Sequence, residues 1–465
     1  MSRRLRAGSA TTRRRFLTSL ASVPASTALG SLAAPAVSRA PQRPLITHGV
    51  QSGDVSIDSG MVWARTDRPA RLLIDAATTD SFRDIYYTTF VDALPETDFT
   101  AKALIEDLPT GQDIFYRLRF QDLSSPKVIG EPMVGRFRTA PVNRRSISFV
   151  WSGDTAGQGW GIDESRGGMR TYATMLRSRP DFFVHCGDSI YADCAVPAQQ
   201  NLPNGEIWRN VITEEKSKAA TTLAEYRGNY KYNLLDANLR TFNAEVPIFA
   251  QWDNHEVMED WWPGEAFNRR GYDVKSALLL AARGCRAFHE FIPLRYSPAE
   301  PGRIYRKISY GPLLDLFLLD MRSYRGPNGA RPTDHYGPDA HLLGPKQLAW
   351  LKRELARSAA TWKVIASDTP LGMIAAGSPG ARTPLGRGVE IADLLSFMQR
   401  AGIRNTVWIT ADLHYTAAHY FDPDDAVFQD FEPFWEFVSG PINAGTWTPC
   451  GLDRTFGPQV VFQSA

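Results

Sequence analysis

Residues 181–191 read DFFVHCGDSIY: an apolar run through Cys186, a glycine, then Asp188 and, three residues on, Tyr191. A short apolar run closed by a turn signal fits a strand buried on both faces. The acid and the phenol then stand just past its carboxyl end. The same grammar recurs four times. SISFVWSGD (146–154) ends on Asp154, and VPIFAQWDNHE (246–256) ends on Asn254 and His255. WKVIASDTP (362–370) reaches Asp368, and TVWITADLH (406–414) reaches Asp412 and His414. One such ending means little, because an Asp after a strand commonly caps a helix or turn. Five of them predict a row of metal-ligand side chains along one rim, where open α/β sheets bind their ligands.

Working outward, the 34 residues from Asp154 to Asp188 suit one βαβ unit, with a helix-compatible stretch at 167–179 between the two strands. Parallel strands with a right-handed crossover follow, and put both acids at the same end. Helical spacing is also legible at 275–292, at 344–358 (Leu348, Leu351, Leu355) and at 388–402. The polar stretch 196–245 contains a helical pattern, read as part of a lid. Before residue 145 the pattern is different. Residues 46–140 alternate apolar and polar positions in short runs separated by turn residues, as in a fibronectin- or immunoglobulin-like sandwich. The expected organisation is an N-terminal β-sandwich over 43–141 and an α/β domain over 145–465.

The first 40 residues stand apart. They hold seven arginines and no acid, with Arg13-Arg14-Arg15-Phe16-Leu17 followed by a weakly apolar Ala/Ser/Leu stretch and small residues near Ala40. This order resembles a twin-arginine export signal, and implies a periplasmic or secreted protein. The whole chain of 465 residues carries a net charge of +2; those seven arginines exceed the whole excess, so the remainder carries −5. With no basic run left, a stable nucleic-acid complex is disfavoured. No later segment has the roughly 18 uninterrupted apolar residues of a membrane span. Four cysteines (Cys186, Cys194, Cys285, Cys450) permit disulfides in an exported chain, but their spacing selects no pairing.

The donors themselves are chemically specific. A carboxylate such as that of Asp188 bridges two cations about 3.5–4 Å apart, one through each oxygen. Gly153 and Gly187, just before the acids, read as clearing space for metal and substrate. Tyr191 offers a hard phenolate suited to a trivalent ion. His255, beside Asn254, is of the type that protonates a leaving oxygen near neutral pH. Asp253 is the candidate to orient it, and Arg322 or Arg325 the candidate to hold a phosphate oxygen.

In order and combination these segments resemble the calcineurin-like metallophosphoesterases, and within them the alkaline phosphatase D family. The resemblance rests on Gly187-Asp188-Ser189-Ile190-Tyr191, Trp252-Asp253-Asn254-His255-Glu256, Asp412-Leu413-His414, LLDMRSYR (318–325) and WKVIASDTP. It implies an α/β fold, a metallophosphoesterase-type αββα sandwich behind the N-terminal β-sandwich, and a dinuclear metal centre. Carried over, one metal would take Asp154, Asp188, Tyr191 and His414, and the other Asp188, Asn254, Asp368 and Asp412. Two departures bear on the metals. The family usually has Cys where Asp154 stands, and the superfamily's middle His is replaced by Asp368. An all-oxygen second set favours Ca²⁺, Mg²⁺ or Mn²⁺ over Zn²⁺, so Fe(III) with Ca²⁺ is the expected pair. The implied activity is hydrolysis of phosphate monoesters and diesters by a metal-activated hydroxide, with catalytic roles for His255, Asp253 and Arg322. The alternatives are a phospholipase D-like phosphodiesterase, a metal- or phosphate-binding protein without turnover, and an adhesive sandwich on an inert scaffold. Oligomeric state is not readable.

Overall fold

A computed structural model of the chain describes residues 43–269, 271–329, 333–374, 383–449 and 451–465. The segment read as an export signal lies outside them, as does Cys450.

Seven strands occupy the first hundred described residues: β1 (Ile46–Gly53), β2 (Gly60–Thr66), β3 (Ala70–Ala77), β4 (Ile85–Ala93), β5 (Thr100–Ile105), β6 (Asp113–Asp122) and β7 (Met133–Arg138). In β6 every second residue is buried, from Ile114 through Tyr116 and Leu118 to Phe120, which is the period-two signature of a half-buried strand. One antiparallel sheet runs β4-β3-β6-β7. The other strands belong to a sheet that continues past residue 145. Gly53 of β1 pairs in parallel with Ile248 of β12 (Ile248–Gln251), giving the order β5-β2-β1-β12-β9-β8. Here β8 is Phe149–Ser152 and β9 is Phe182–Cys186, and a small β10–β11 hairpin (Gln199–Asn201, Ile207–Arg209) lies in the loop after β9.

β8, β9 and β12 pair in parallel, so their carboxyl ends share one edge, as the sequence predicts. Helix α1 (Arg170–Arg177) supplies the crossover between β8 and β9. The second large sheet runs β13-β14-β15-β16-β18-β17-β19, namely Arg306–Ser309, Leu314–Leu318, Trp362–Ala366, Thr406–Thr410, Phe434–Val438, Thr416–Phe421 and Pro458–Ser464 in that spatial order. Its central four strands are parallel. The two large sheets share one core, in which Val184, Cys186 and Phe249 from one meet Leu314, Leu316, Leu318, Val364, Ala366 and Ile409 from the other. Outside the first sheet lie α2 (Leu223–Asn233), α3 (Ala237–Glu245) and α4 (Ala277–Phe291). They bury Tyr226, Tyr230, Leu239, Phe242, Leu280 and Phe288. Outside the second lie α5 (Gly344–Arg357) and α7 (Gly388–Arg400), with the single turn α6 (Leu371–Ile374) between them. Leu348, Leu351, Leu394 and Leu395 fill that layer. The result is an αββα sandwich behind a β-sandwich.

One expectation is corrected. The helical pattern within 196–245 forms α2 and α3, which pack into the core on the first sheet. α2 is fixed by a reciprocal cap between Thr222 and Glu225. Its tyrosines read as polar and lid-like in sequence, but they are fully packed side chains.

Asp54, at the end of β1, is wholly buried. Arg306 of β13 meets it in a forked pair, with Nε at 2.9 Å from Oδ2 and Nη2 at 2.6 Å from Oδ1. The other arm of Arg306 donates to Ala250 O in β12 at 2.9 Å. One guanidinium thus ties the N-terminal strands to both large sheets. Asp54→Ala leaves that charge buried and unpaired, and is expected to lower the unfolding free energy by about 3–5 kcal/mol. A urea titration by circular dichroism reads this; a loss below about 1 kcal/mol would mean that Arg306 escapes to water.

Candidate metal centre

Three of the five strand ends, those of β8, β9 and β16, turn with a common backbone. Asp154, Asp188, Asp412 and His414 have φ of 66°, 52°, 67° and 54°, the left-handed region that non-glycine residues seldom occupy. Such conformations concentrate at functional sites, because the surroundings must hold them in place. Part of the hold comes from Glu256. Its carboxylate accepts from Asp188 N (3.1 Å), Ser189 N (2.6 Å) and Asp253 N (2.8 Å), so it clamps the loop after β9 to the loop after β12. Burial pushes its pKa up to about 7.

The glycines act differently from expectation. A Cβ on Gly153 would come within 2.7 Å of the Ala411 Cβ, and one on Gly187 (φ 109°) within 2.6 Å of the Asp253 Cβ. Both clear room for neighbouring strand ends to approach one another; neither faces the cleft.

On one side of the cleft Tyr191, Asp154 and His414 converge. The Tyr191 hydroxyl lies 3.2 Å from Asp154 Oδ1 and 2.8 Å from His414 Nε2, which is itself 3.2 Å from Asp154 Oδ1. His414 Nδ1 donates to Gly445 O at 2.5 Å, which turns Nε2 toward the two oxygens. Tyr191 is completely buried. Burial, then the charges of Asp154, Asp188 and Asp412, push its phenol well above the usual range.

On the other side stand carboxylates. Oxygens of Asp188, Asp253 and Asp412 lie within 4.8 Å of one another. Asp368 adds two buried oxygens without a hydrogen-bond partner among the described residues, and Asp154 Oδ2 and Asp253 Oδ2 are equally unpartnered. Burial, followed by repulsion from Asp253, raises the pKa of Asp188, Asp368 and Asp412 well above the carboxylate range. Arg322 is buried beside them, with Nε at 2.5 Å from Asp253 Oδ1 and Nη2 at 3.4 Å from Asn254 Oδ1. Asp253 is therefore a member of the carboxylate cluster, held by Arg322. The sequence reading had given Asp253 to His255.

The acid that meets His255 is Asp193, which sequence reasoning missed. His255 Nδ1 is 2.7 Å from Asp193 Oδ1, and Asp193 Oδ2 accepts from Glu259 N at 2.6 Å. The ring stacks on Tyr191, with centroids 4.0 Å apart. Burial works against its protonation, but Asp193, together with Glu259, whose Oε2 is 3.4 Å from Nε2, and Asp253, lifts the pKa to about 9. The available signal is a second acid, two residues past Tyr191 in the loop that carries Asp188.

Asp188, Asn254, His255, Arg322, Asp368, Asp412 and His414 line one cleft of about 420 Å³, together with Arg325, Arg387, Thr369 and Trp447. Elsewhere in the chain, His185 is a buried histidine beside Thr155 Oγ1, and Trp261 packs edge-on against Trp252.

The PhoD-like phosphatase family profile matches residues 149–460, and the profile of that family's N-terminal domain matches residues 31–141. The chain belongs to the PhoD-like phosphatase family. Alkaline phosphatase D of Bacillus subtilis (strain 168) is 25% identical over 428 residues, which cover 86% of this chain and 69% of that one. The solved structure of PhoD superposes with a TM-score of 0.71 at 24% identity, over 87% of this chain and 78% of the other. A purple acid phosphatase, PPD1 from yellow lupin seeds, shares the fold at 13% identity and a TM-score of 0.56, over 91% of this chain and 68% of its own.

A phosphatase of the PhoD-like family implies a metal centre, and the donor set fits one. Four buried carboxylate oxygens of this cluster have no hydrogen-bond donor among the described residues, an arrangement that is stable only if protons or cations neutralise them. Raised carboxyl pKa values stabilise the fold below the unfolded value of 3.8. That stability is lost as pH climbs toward the folded values. The melting temperature of metal-free protein is therefore expected to fall as pH rises from about 4 through neutrality. Metal-loaded protein should diverge upward from it over the same range. Parallel curves from calorimetric scans would contradict this account of the cluster.

Proposed function

We propose that this chain is an exported, metal-dependent phosphoesterase that hydrolyses phosphate monoesters and diesters. The observation that carries the reading is the set of buried, unpartnered carboxylate oxygens beside Tyr191 and His414, in a cleft that also presents His255. Asp154, Asp188, Tyr191 and His414 would hold one cation. Asp188, Asn254, Asp368 and Asp412, joined by Asp253, would hold a second. The phenol and imidazole favour a trivalent ion such as Fe(III) in the first place, and the oxygen-only set favours Ca²⁺ in the second, with Mg²⁺, Mn²⁺ and Zn²⁺ as competitors. When bound, such a pair supplies an acidified water and neutralises charge on phosphoryl oxygens.

The protein's own groups do the rest. Arg322 keeps Asp253 and Asn254 in position. Asp193 fixes the His255 ring through Nδ1 and keeps it protonated at neutral pH, so Nε2 has a proton to give to the departing oxygen. That acid disfavours a protein that only binds metal or phosphate, since binding needs no proton donor. The arginine-rich first 40 residues support twin-arginine export to the periplasm or beyond, and the segments 43–141 and 145–465 are read as the sandwich and catalytic domains.

The test is hydrolysis of para-nitrophenyl phosphate and bis(para-nitrophenyl) phosphate by purified protein, before and after chelation and with Fe(III) and Ca²⁺ restored. Chelator-sensitive turnover recovered by metal is expected, and the rate ratio ranks monoester against diester. Metal-loaded protein inert toward both, and toward phospholipid diesters, would leave a binding protein. Asp188→Ala should release both metals, read by elemental analysis. His255→Ala should retain them and lose about 10²–10⁴-fold in kcat; metal loss in that variant would make His255 a ligand instead.

A further inference from the structure

Three guanidinium groups, those of Arg322, Arg325 and Arg387, line the cleft. They are not equivalent. Arg322 is committed to Asp253 and Asn254, and its Nη1 is 3.3 Å from Asp260 Oδ1. Arg387 is steadied by neutral acceptors alone, with Nη2 at 2.9 Å from Gly326 O and 2.7 Å from Asn328 Oδ1. Arg325 Nε is sealed from water and has no hydrogen-bond partner among the described residues. Neither Arg325 nor Arg387 forms an ion pair among those residues, although arginines elsewhere in the chain do so repeatedly, as at Arg227–Glu290 and Arg306–Asp54.

Two arginines with no ion pair among the described residues, brought near a third, repel one another. Burial and then the charges of Arg322 and Arg387 push Arg325 down to about 9, against a partial offset from Asp368. Burial and Arg322 push Arg387 down as well. Planar guanidinium forks are shaped for carboxylate and phosphate oxygens. An anion seated between them would relieve the repulsion. The reacting phosphoryl group already has the metal-ligand cluster opposite it, so this pair is surplus to that charge.

We propose that Arg325 and Arg387 form a second anion subsite in the cleft, so that the preferred esters carry a carboxylate or phosphate on the group attached to the reacting phosphorus. This rests on the phosphoesterase reading above. It names a substrate class, an ester with two anionic centres a few bonds apart.

Calorimetric binding of two ligands of equal carbon-chain length to the metal-loaded protein tests it without turnover. Carboxyethylphosphonate carries the second anion, and propylphosphonate lacks it. The wild-type protein is expected to bind the first about tenfold more tightly, the scale of one charge-assisted hydrogen bond. Arg325→Gln and Arg387→Gln should each bring the ratio toward one. Equal binding of both ligands by the wild type overturns the subsite, as does a ratio that survives in both variants. Variants that weaken both ligands alike, with a wild-type ratio of one, would assign the pair to the reacting phosphoryl group. Para-nitrophenyl phosphate hydrolysis is scored separately on the same protein. Turnover with a ratio of one sinks the subsite alone, and an intact ratio without turnover sinks the esterase reading alone.

Discussion

Five carboxyl groups crowd into one cleft, and four of them, Asp154, Asp188, Asp253 and Asp368, are at most 1% exposed. That is the constraint around which the molecule is built. Each buried charge without a partner costs several kcal/mol, and here the partners supplied by the chain are few. Arg322 answers Asp253, the Tyr191 hydroxyl and His414 answer one oxygen of Asp154, His255 N answers one oxygen of Asp188, and Asp154 Oδ2, Asp253 Oδ2 and both oxygens of Asp368 have no hydrogen-bond partner among the described residues. A fold optimised for stability alone would place apolar side chains here. A fold that keeps the acids together needs a cation to complete it, and must be strong enough elsewhere to tolerate the deficit.

That strength is organised in the main chain more than in the side chains. Left-handed turns at Asp154, Asp188, Asp412 and His414 aim the donors. Glu256 spends its carboxylate on three backbone amides. Gly153 and Gly187 let strand ends approach so closely that a single added methyl group would collide with Ala411 or Asp253. Tyr191 serves both halves of the cleft, its hydroxyl reaching Asp154 and its ring stacking on His255. The donor positions are thus set by β-strand termini and their turns, whose geometry does not depend on what is bound.

Much of this is legible in the sequence, for a physical reason. Parallel strands buried on both faces must be continuous apolar runs, and right-handed crossovers force their ends to one side, so Asp154, Asp188, Asn254, Asp368 and Asp412 are brought together by topology. What escapes is whatever depends on the direction of a side chain within a loop. Asp253 is two residues from His255 and Asp193 is 62 away, and nothing in that spacing says that Asp193 turns to the imidazole and Asp253 to Arg322. The tyrosines of α2 look polar in a string of letters, yet Tyr226 and Tyr230 are core. The junction of β1 with β12 is equally hidden, since a sandwich and an α/β layer read as separate patterns even when one sheet runs through both.

That junction also sets a timetable. Asp54 and Arg306 are 252 residues apart, and β1 gains its second neighbour only when β12 has formed. At synthesis rates of about 5–20 residues per second, the N-terminal strands emerge roughly 10–50 s before Arg306 does. During that interval the outer edge of β1 is an unpaired strand with a buried-type aspartate at its tip, which is the kind of edge that invites association with other chains. Completion of the first sheet is therefore a late, long-range event, fastened by an arginine 252 residues from the strand end it holds.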